Sequence, residues 1–121
     1  MFKRSLYVQV RENRFDIRNV GDDRAYHAIA SPPFSHPRML VGDFTAAQAC
    51  LKTLAEQAYG SGFALRTEML IHPMEKFEGG LTQIESRVFE ELAAGAGASR
   101  VVVWSGAPLS DTEVVTKLKA G

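Results

Sequence analysis

Val101-Val102-Val103, three β-branched residues in a row between Arg100 and Trp104, constrain this chain more than any other stretch. A strand with one wet face alternates apolar and polar side chains. An unbroken apolar run is expected instead of an interior strand of a parallel sheet with both faces covered. Parallel neighbours cannot be joined by tight turns, so helices must carry the chain across. The residues just before supply one. Thr82-Gln83-Ile84-Glu85 has the pattern of a capping box, in which the Thr82 hydroxyl takes an amide of the first turn and Glu85 reaches back to the Thr82 amide. Leu81, Ile84, Val88 and Leu92 then recur at helical spacing with Phe89 widening the stripe, until Gly95-Ala96-Gly97-Ala98 ends the helix.

The remaining elements follow in order. Residues 6–10 predict a first strand, 11–14 a tight polar turn, 15–20 a second strand alternating Phe15, Ile17 and Asn19 with Asp16, Arg18 and Val20, and 24–30 a third, giving an antiparallel meander. Ser31-Pro32-Pro33-Phe34-Ser35-His36-Pro37 cannot continue it, because proline removes ladder donors, and forms the main loop. Thr45-Ala46-Ala47-Gln48 predicts a second capping box, opening a helix with Ala47, Leu51, Leu54, Ala55 and Ala58 inward and Gly60 as a left-handed cap. Residues 65–71 predict a fourth strand ended by His72-Pro73. Ser110-Asp111-Thr112-Glu113 begins a last helix with Val114, Val115 and Leu118 inward. The order is βββαβαβα over one domain, residues 1–121. With right-handed crossovers this is an α/β fold of the ribonuclease H-like order, a mixed five-stranded sheet arranged 3-2-1-4-5.

Several function classes lose support at this stage. Fourteen basic and fourteen acidic side chains leave no net field to draw the chain to nucleic acid. No run is apolar and long enough for an integral membrane segment, the first residues do not lead into a signal peptide, and Cys50 stands alone, so the cytoplasm is the expected compartment. Two-metal nucleases need carboxylates at the end of the first strand, where Tyr7, Val8 and Gln9 stand. His27, His36 and His72 lack ligand spacing, so no metal is expected. Cys50 sits inside a helix as a small core or near-core residue, and Arg11, Arg14 and Arg18, with Lys3 and Arg4, are interleaved with Glu12 and Asp16 as a solvated face. Trp104-Ser105-Gly106-Ala107-Pro108 leaves the last strand at the sheet's carboxyl edge, a usual place for a ligand crevice, although Trp104 itself is expected to pack.

Gly80-Leu81-Thr82-Gln83-Ile84-Glu85-Ser86-Arg87, followed by Gly95-Ala96-Gly97-Ala98-Ser99-Arg100, resembles the MreB segment G-A-T-Q-V-E-R-R and its sequel Q-G-A-G-A-R-E-V. Leu70-Ile71-His72-Pro73 is similar to the strand and proline before that segment, with a short insertion following here, and residues 39–44 are similar to the run G-V-I-A-D-F. The resemblance to this bacterial actin-like family, which determines rod shape, covers most of the chain but only the first subdomain of the family fold. It implies an actin-like ATPase scaffold. Actin-like ATPases open with D-x-G-T, where Gln9-Val10-Arg11-Glu12 stands here, so the loop is degenerate and no cofactor is expected. Glu85 falls where the family activates water, a vestigial catalytic position that the capping box accounts for equally. The resemblance therefore implies a non-catalytic, truncated MreB-like protein acting through protein contacts in cell-shape or envelope organisation. Its implied partners are a second copy in a two-fold homodimer formed through apolar surface near the last helix and the Glu85 helix, an actin-like filament, or cell-envelope proteins. The alternatives are a half-site nucleotide hydrolase completed by another chain, with Glu85 positioning water, and an adaptor on actin-like filaments.

Overall fold

The computed structural model describes residues 3–21, 24–59, 66–76 and 78–121, with Lys3 described by its backbone. Its elements are β1 (Lys3–Arg11), β2 (Arg14–Asn19), β3 (Ala25–Ile29), α1 (Phe44–Tyr59), β4 (Arg66–Pro73), α2 (Gln83–Gly95), β5 (Arg100–Val103) and α3 (Asp111–Ala120). They form one mixed sheet in the order β3-β2-β1-β4-β5. β1 pairs antiparallel with β2 and parallel with β4, and β4 pairs parallel with β5. The order read from the sequence is the order observed.

Side-chain alternation divides the sheet into two unequal faces. Leu6, Val8 and Val10 of β1, Phe15 and Ile17 of β2, and Met69 and Ile71 of β4 point to the face covered by α1 and α2, where the main core lies. Tyr7 and Leu70 point the other way, to a smaller core closed by Leu109, Val114 and Leu118. That second cover is α3, which reaches β1, β4 and β5. Beyond it the arginines of the hairpin make ion pairs. Arg14 and Arg11 lie 3.0 and 3.7 Å from Asp16, and Arg18 lies 2.6 Å from Asp111. Arg4 points to the main-core side, where it donates to the Tyr59 carbonyl.

The proline-rich loop is anchored to the β1–β2 turn. Asn13 takes a positive φ of 54°, which asparagine tolerates, and its Oδ1 accepts from the amides of Phe34 and Ser35 at 2.9 and 2.7 Å. Phe34 is buried and stacks on Phe15 with ring centroids 4.9 Å apart. The loop thus contributes a core side chain that its prolines gave no hint of.

Several local expectations are corrected. β5 is an edge strand, half-buried along its length, rather than an interior one; its apolar run is explained by helices over both faces, with α2 and α3 each in contact with it. β4 runs on through His72 and Pro73. Proline is tolerated there because the Met74 amide turns toward Val10 O of β1, so the missing Pro73 donor faces β5, whose ladder ends at Ile71↔Val103. α1 begins at Phe44, and its first-turn amide at Ala46 is taken by Asp43 Oδ1 (3.0 Å), not by a box on Thr45. Gln48 instead donates to Leu92 O and ties α1 to α2. The boxes at Thr82–Glu85 and Ser110–Glu113 are both formed. In α2 the buried residues are Phe89, Leu92 and Ala93, whereas Ile84 is 78% exposed. In α3 Val114 and Leu118 are buried and Val115 only half-buried. Gly60 and Leu65 lie outside the described residues.

Candidate functional site

The segments that leave the carboxyl ends of the parallel strands β4 and β5 open onto a crevice of about 550 Å³. Met74, Glu75, Lys76, Glu78, Gly79, Gly80, Ser105 and Gly106 line it. This is where an open α/β sheet ordinarily receives a ligand. Gln9-Val10-Arg11-Glu12, the stretch that the resemblance reads as a degenerate loop, stands at the end of β1. Gln9 donates through Nε2 to the Tyr7 hydroxyl (3.2 Å), Val10 is buried in the main core, and Arg11 leans toward Asp16. The backbone amide of Glu12, at the tip of the turn, donates to Glu75 Oε2 at 2.8 Å. Lys76 Nζ lies 3.7 Å from Glu12 Oε2 and donates to His36 O, which pins the β4–α2 connection over the turn. A carboxylate of the chain itself therefore holds the Glu12 amide, at the turn where the resemblance implies a phosphate contact. The further carboxylate of Glu78 lines the crevice as well, a poor lining for an anion.

Glu85 is occupied too. Its Oε1 accepts from the Thr82 amide at 2.9 Å while its own amide donates to Thr82 Oγ1 at 3.1 Å, as a capping box requires.

Beneath the crevice lies a buried polar network. His72 is fully buried, and its Nδ1 sits 2.7 Å from the Tyr7 hydroxyl while Nε2 sits 3.0 Å from Gly106 O. The carbonyl can only accept, so Nε2 carries the proton and Nδ1 accepts from Tyr7. The tyrosine oxygen in turn accepts from the Leu109 amide and from Gln9. Burial pushes the His72 pKa below the ordinary imidazole value, reinforced by the Arg11 charge and opposed by the bond to Gly106. With both ring nitrogens bonded and no exposure, His72 presents no free nitrogen for acid–base chemistry. It locks the 105–109 segment to the sheet. Trp104 packs alongside, its Nε1 donating to Ala107 O and the Lys117 ammonium 3.7 Å above its ring.

His27 is exposed on β3, and His36 Nδ1 accepts from the Arg38 amide. Cys50 is half-buried on α1, and burial raises its thiol pKa. Among the described residues no three of His, Cys, Asp and Glu gather in a metal-binding arrangement.

No established family profile matches this sequence. The chain is, however, 31% identical over 124 residues to the uncharacterized protein YjaA of Escherichia coli strain K12, across 94% of this chain and 96% of YjaA. It belongs to the YjaA family. Such identity over nearly the full length of both proteins makes the sheet, the helices and the turn after β1 a description of a YjaA-family fold. The name YjaA carries no activity, so what this family member can do must come from its surfaces.

One surface of this YjaA relative stands out. Among the described residues four large apolar side chains are exposed, and three of them, Met39, Phe44 and Ile84, converge on the outer side of α2. Ile84 and Val88 form a ridge there. On one side an apolar groove runs along Met39, Val41 and Leu81 under Glu75 and Lys76; on the other a groove of about 470 Å³ opens beside Phe44, Arg87 and Glu91. α3 has no exposed large apolar residue, so the expected apolar surface is found at α2 alone. The exposure of Ile84 was missed because the spacing Leu81, Ile84, Val88, Leu92 straddles the inward and outward faces of the helix. Glu75 carried no sequence signal at all, since only the fold brings it to Glu12.

Proposed function

We propose that this chain is a non-catalytic, MreB-like protein of ribonuclease H-like, actin-like fold, working through protein–protein contacts in the organisation of cell shape or envelope, in the cytoplasm. The observation that carries this reading is the Glu12 amide held by the Glu75 carboxylate, at the turn where an actin-like ATPase presents glycine amides to phosphate. Phosphate would have to displace a bonded carboxylate and approach past the Arg11 side chain and the Glu12 charge. Supporting it are the strand order 3-2-1-4-5, the sequence resemblance around Glu85, and the use of Glu85 as a helix cap. No helix is long and apolar enough to cross a membrane among the described residues, which is compatible with contacts made from the aqueous phase.

The test is titration calorimetry with Mg·ATP together with a phosphate-release assay. No heat of binding is expected up to a dissociation constant of about 1 mM, and no hydrolysis above background. ATP hydrolysis that disappears in Glu85→Gln would overturn the proposal and make the chain a working hydrolase.

A further inference from the structure

We infer that the outer face of α2 is a self-complementary interface, which a second copy of this chain covers in a two-fold, antiparallel helix pair. The inference rests on the proposed role in protein contacts and names the partner and the surface.

The first observation is the patch itself. Exposed apolar residues are normal when scattered, but clustered ones mark contact surfaces. Ile84 is 78% exposed, Met39 44% and Phe44 41%, all within reach of one helix face. The patch also has relief of both signs. A ridge, Ile84 and Val88, lies between two grooves, so the same surface offers what it can receive. An isologous two-fold contact needs that property, because each copy supplies the same patch.

Charge picks out the occupant. Arg87 and Glu91 sit one turn apart on the rim of the Phe44 groove, paired at 3.2 Å within their own helix and with side chains 76% and 57% exposed. When two copies of α2 cross antiparallel about a two-fold axis level with residue 89, Arg87 of each faces Glu91 of the other, and Ile84 and Val88 of each lie against the partner's α2. A rim with one cation and one anion in this order complements its own copy. It offers no net field to a strongly acidic or basic partner, in keeping with the chain's formal net charge of zero.

The test is sedimentation velocity of the full chain over a wide concentration range, with and without Mg·ATP. A concentration-dependent, nucleotide-indifferent dimer is expected, and Ile84→Arg should weaken it at least about tenfold while leaving the unfolding midpoint unchanged, since Ile84 makes little of the fold. The decisive step uses charge reversal. Arg87→Glu alone and Glu91→Arg alone each set like charges against each other across the axis and should weaken the dimer. An equimolar mixture of the two proteins restores both cross-axis pairs and should recover association as a heterodimer, a recovery that no folding defect can imitate. A wild-type chain that stays monomeric up to about 1 mM overturns the inference. So does a dimer indifferent to Ile84→Arg, or a mixture that associates no better than its components. None of these outcomes bears on the Mg·ATP titration, so failure of the interface and failure of the non-catalytic proposal are told apart.

Discussion

Tyr7→Phe isolates the energetic content of the buried network. The tyrosine oxygen donates to His72 Nδ1 at 2.7 Å and accepts from the Leu109 amide and Gln9 Nε2, each at 3.2 Å. Phenylalanine keeps the ring, its burial against Leu70 and Val114, and the Arg18 guanidinium 4.8 Å above it. The change therefore removes an oxygen and little else. It orphans one acceptor, His72 Nδ1, in a side chain with no exposure, and one donor, the Leu109 amide, in a buried residue. At about 1–3 kcal/mol for each of the two unsatisfied buried groups, and with half-buried Gln9 free to turn toward water, the expected loss is about 2–6 kcal/mol. That is a large share of the stability of about 5–15 kcal/mol usual for such a domain, and it should lower the melting temperature by about 10 °C. Urea unfolding followed by far-ultraviolet circular dichroism reads it directly, as a lower midpoint at unchanged slope. Adding His72→Leu removes the orphaned acceptor, so the double variant should lose less than the two single losses added. A loss below about 0.5 kcal/mol for Tyr7→Phe would refute the argument that this oxygen satisfies two buried groups.

The same histidine sets a pH dependence. Its folded pKa lies below the ordinary value, so as pH falls past about 6.5 the unfolded chain takes up a proton that the folded chain refuses; stability is complete above that pH and declines until the folded pKa is passed. The unfolding free energy from urea titrations between about pH 8 and pH 5.5 should fall with a limiting slope of about 1.4 kcal/mol per pH unit, and His72→Gln should flatten that slope. At the start of α1, Asp43→Ala should cost about 1 kcal/mol by removing the carboxylate that takes the Ala46 amide, whereas Thr45→Ala should change stability by less than about 0.5 kcal/mol. Equal losses in thermal melts of the two variants would return the cap to Thr45.

Most of the architecture was legible because it rests on local physics. Alternation in 15–20, the boxes at Thr82 and Ser110, and the glycine pair closing α2 each bind their own neighbours, and together they order the strands. The misses have a shared cause. The α1 cap went to Thr45 because Thr-x-x-Gln mimics a box, but the tertiary bond from Gln48 to Leu92 O takes the glutamine away. Phe34, hidden among prolines, becomes core only because Asn13 turns the hairpin toward it. Val101 to Val103 looked interior because helices lie over both faces of this half-buried edge strand. At the candidate site, the absence of the D-x-G-T aspartate and glycine from Gln9 to Glu12 was plain in the sequence. What replaced them was not, since Glu75 lies 63 residues from Glu12 and pairs with it only in the fold.

The two features that bear on function meet at one pole of the molecule. Glu75 and Lys76, which close the turn after β1, also wall the apolar groove beside Leu81 and Ile84. The 74–76 segment thus does two things at once: the Glu75 carboxylate holds the Glu12 amide, and Glu75 and Lys76 line the groove beside Leu81 and Ile84. A helix apolar over a wider arc than its core requires is stable in water only if the surplus is small or covered. In α2 Phe89, Leu92 and Ala93 are buried and Val88 packs partly against the same core, whereas Ile84 stays exposed and contributes little to seating the helix on the sheet. An exposed Ile84, walled by the segment that holds the Glu12 amide, ties the proposed lack of catalysis and the proposed docking face to the same few residues. Substitutions in 74–76 should therefore disturb association and the β1 turn together, whereas Ile84→Arg should disturb association alone.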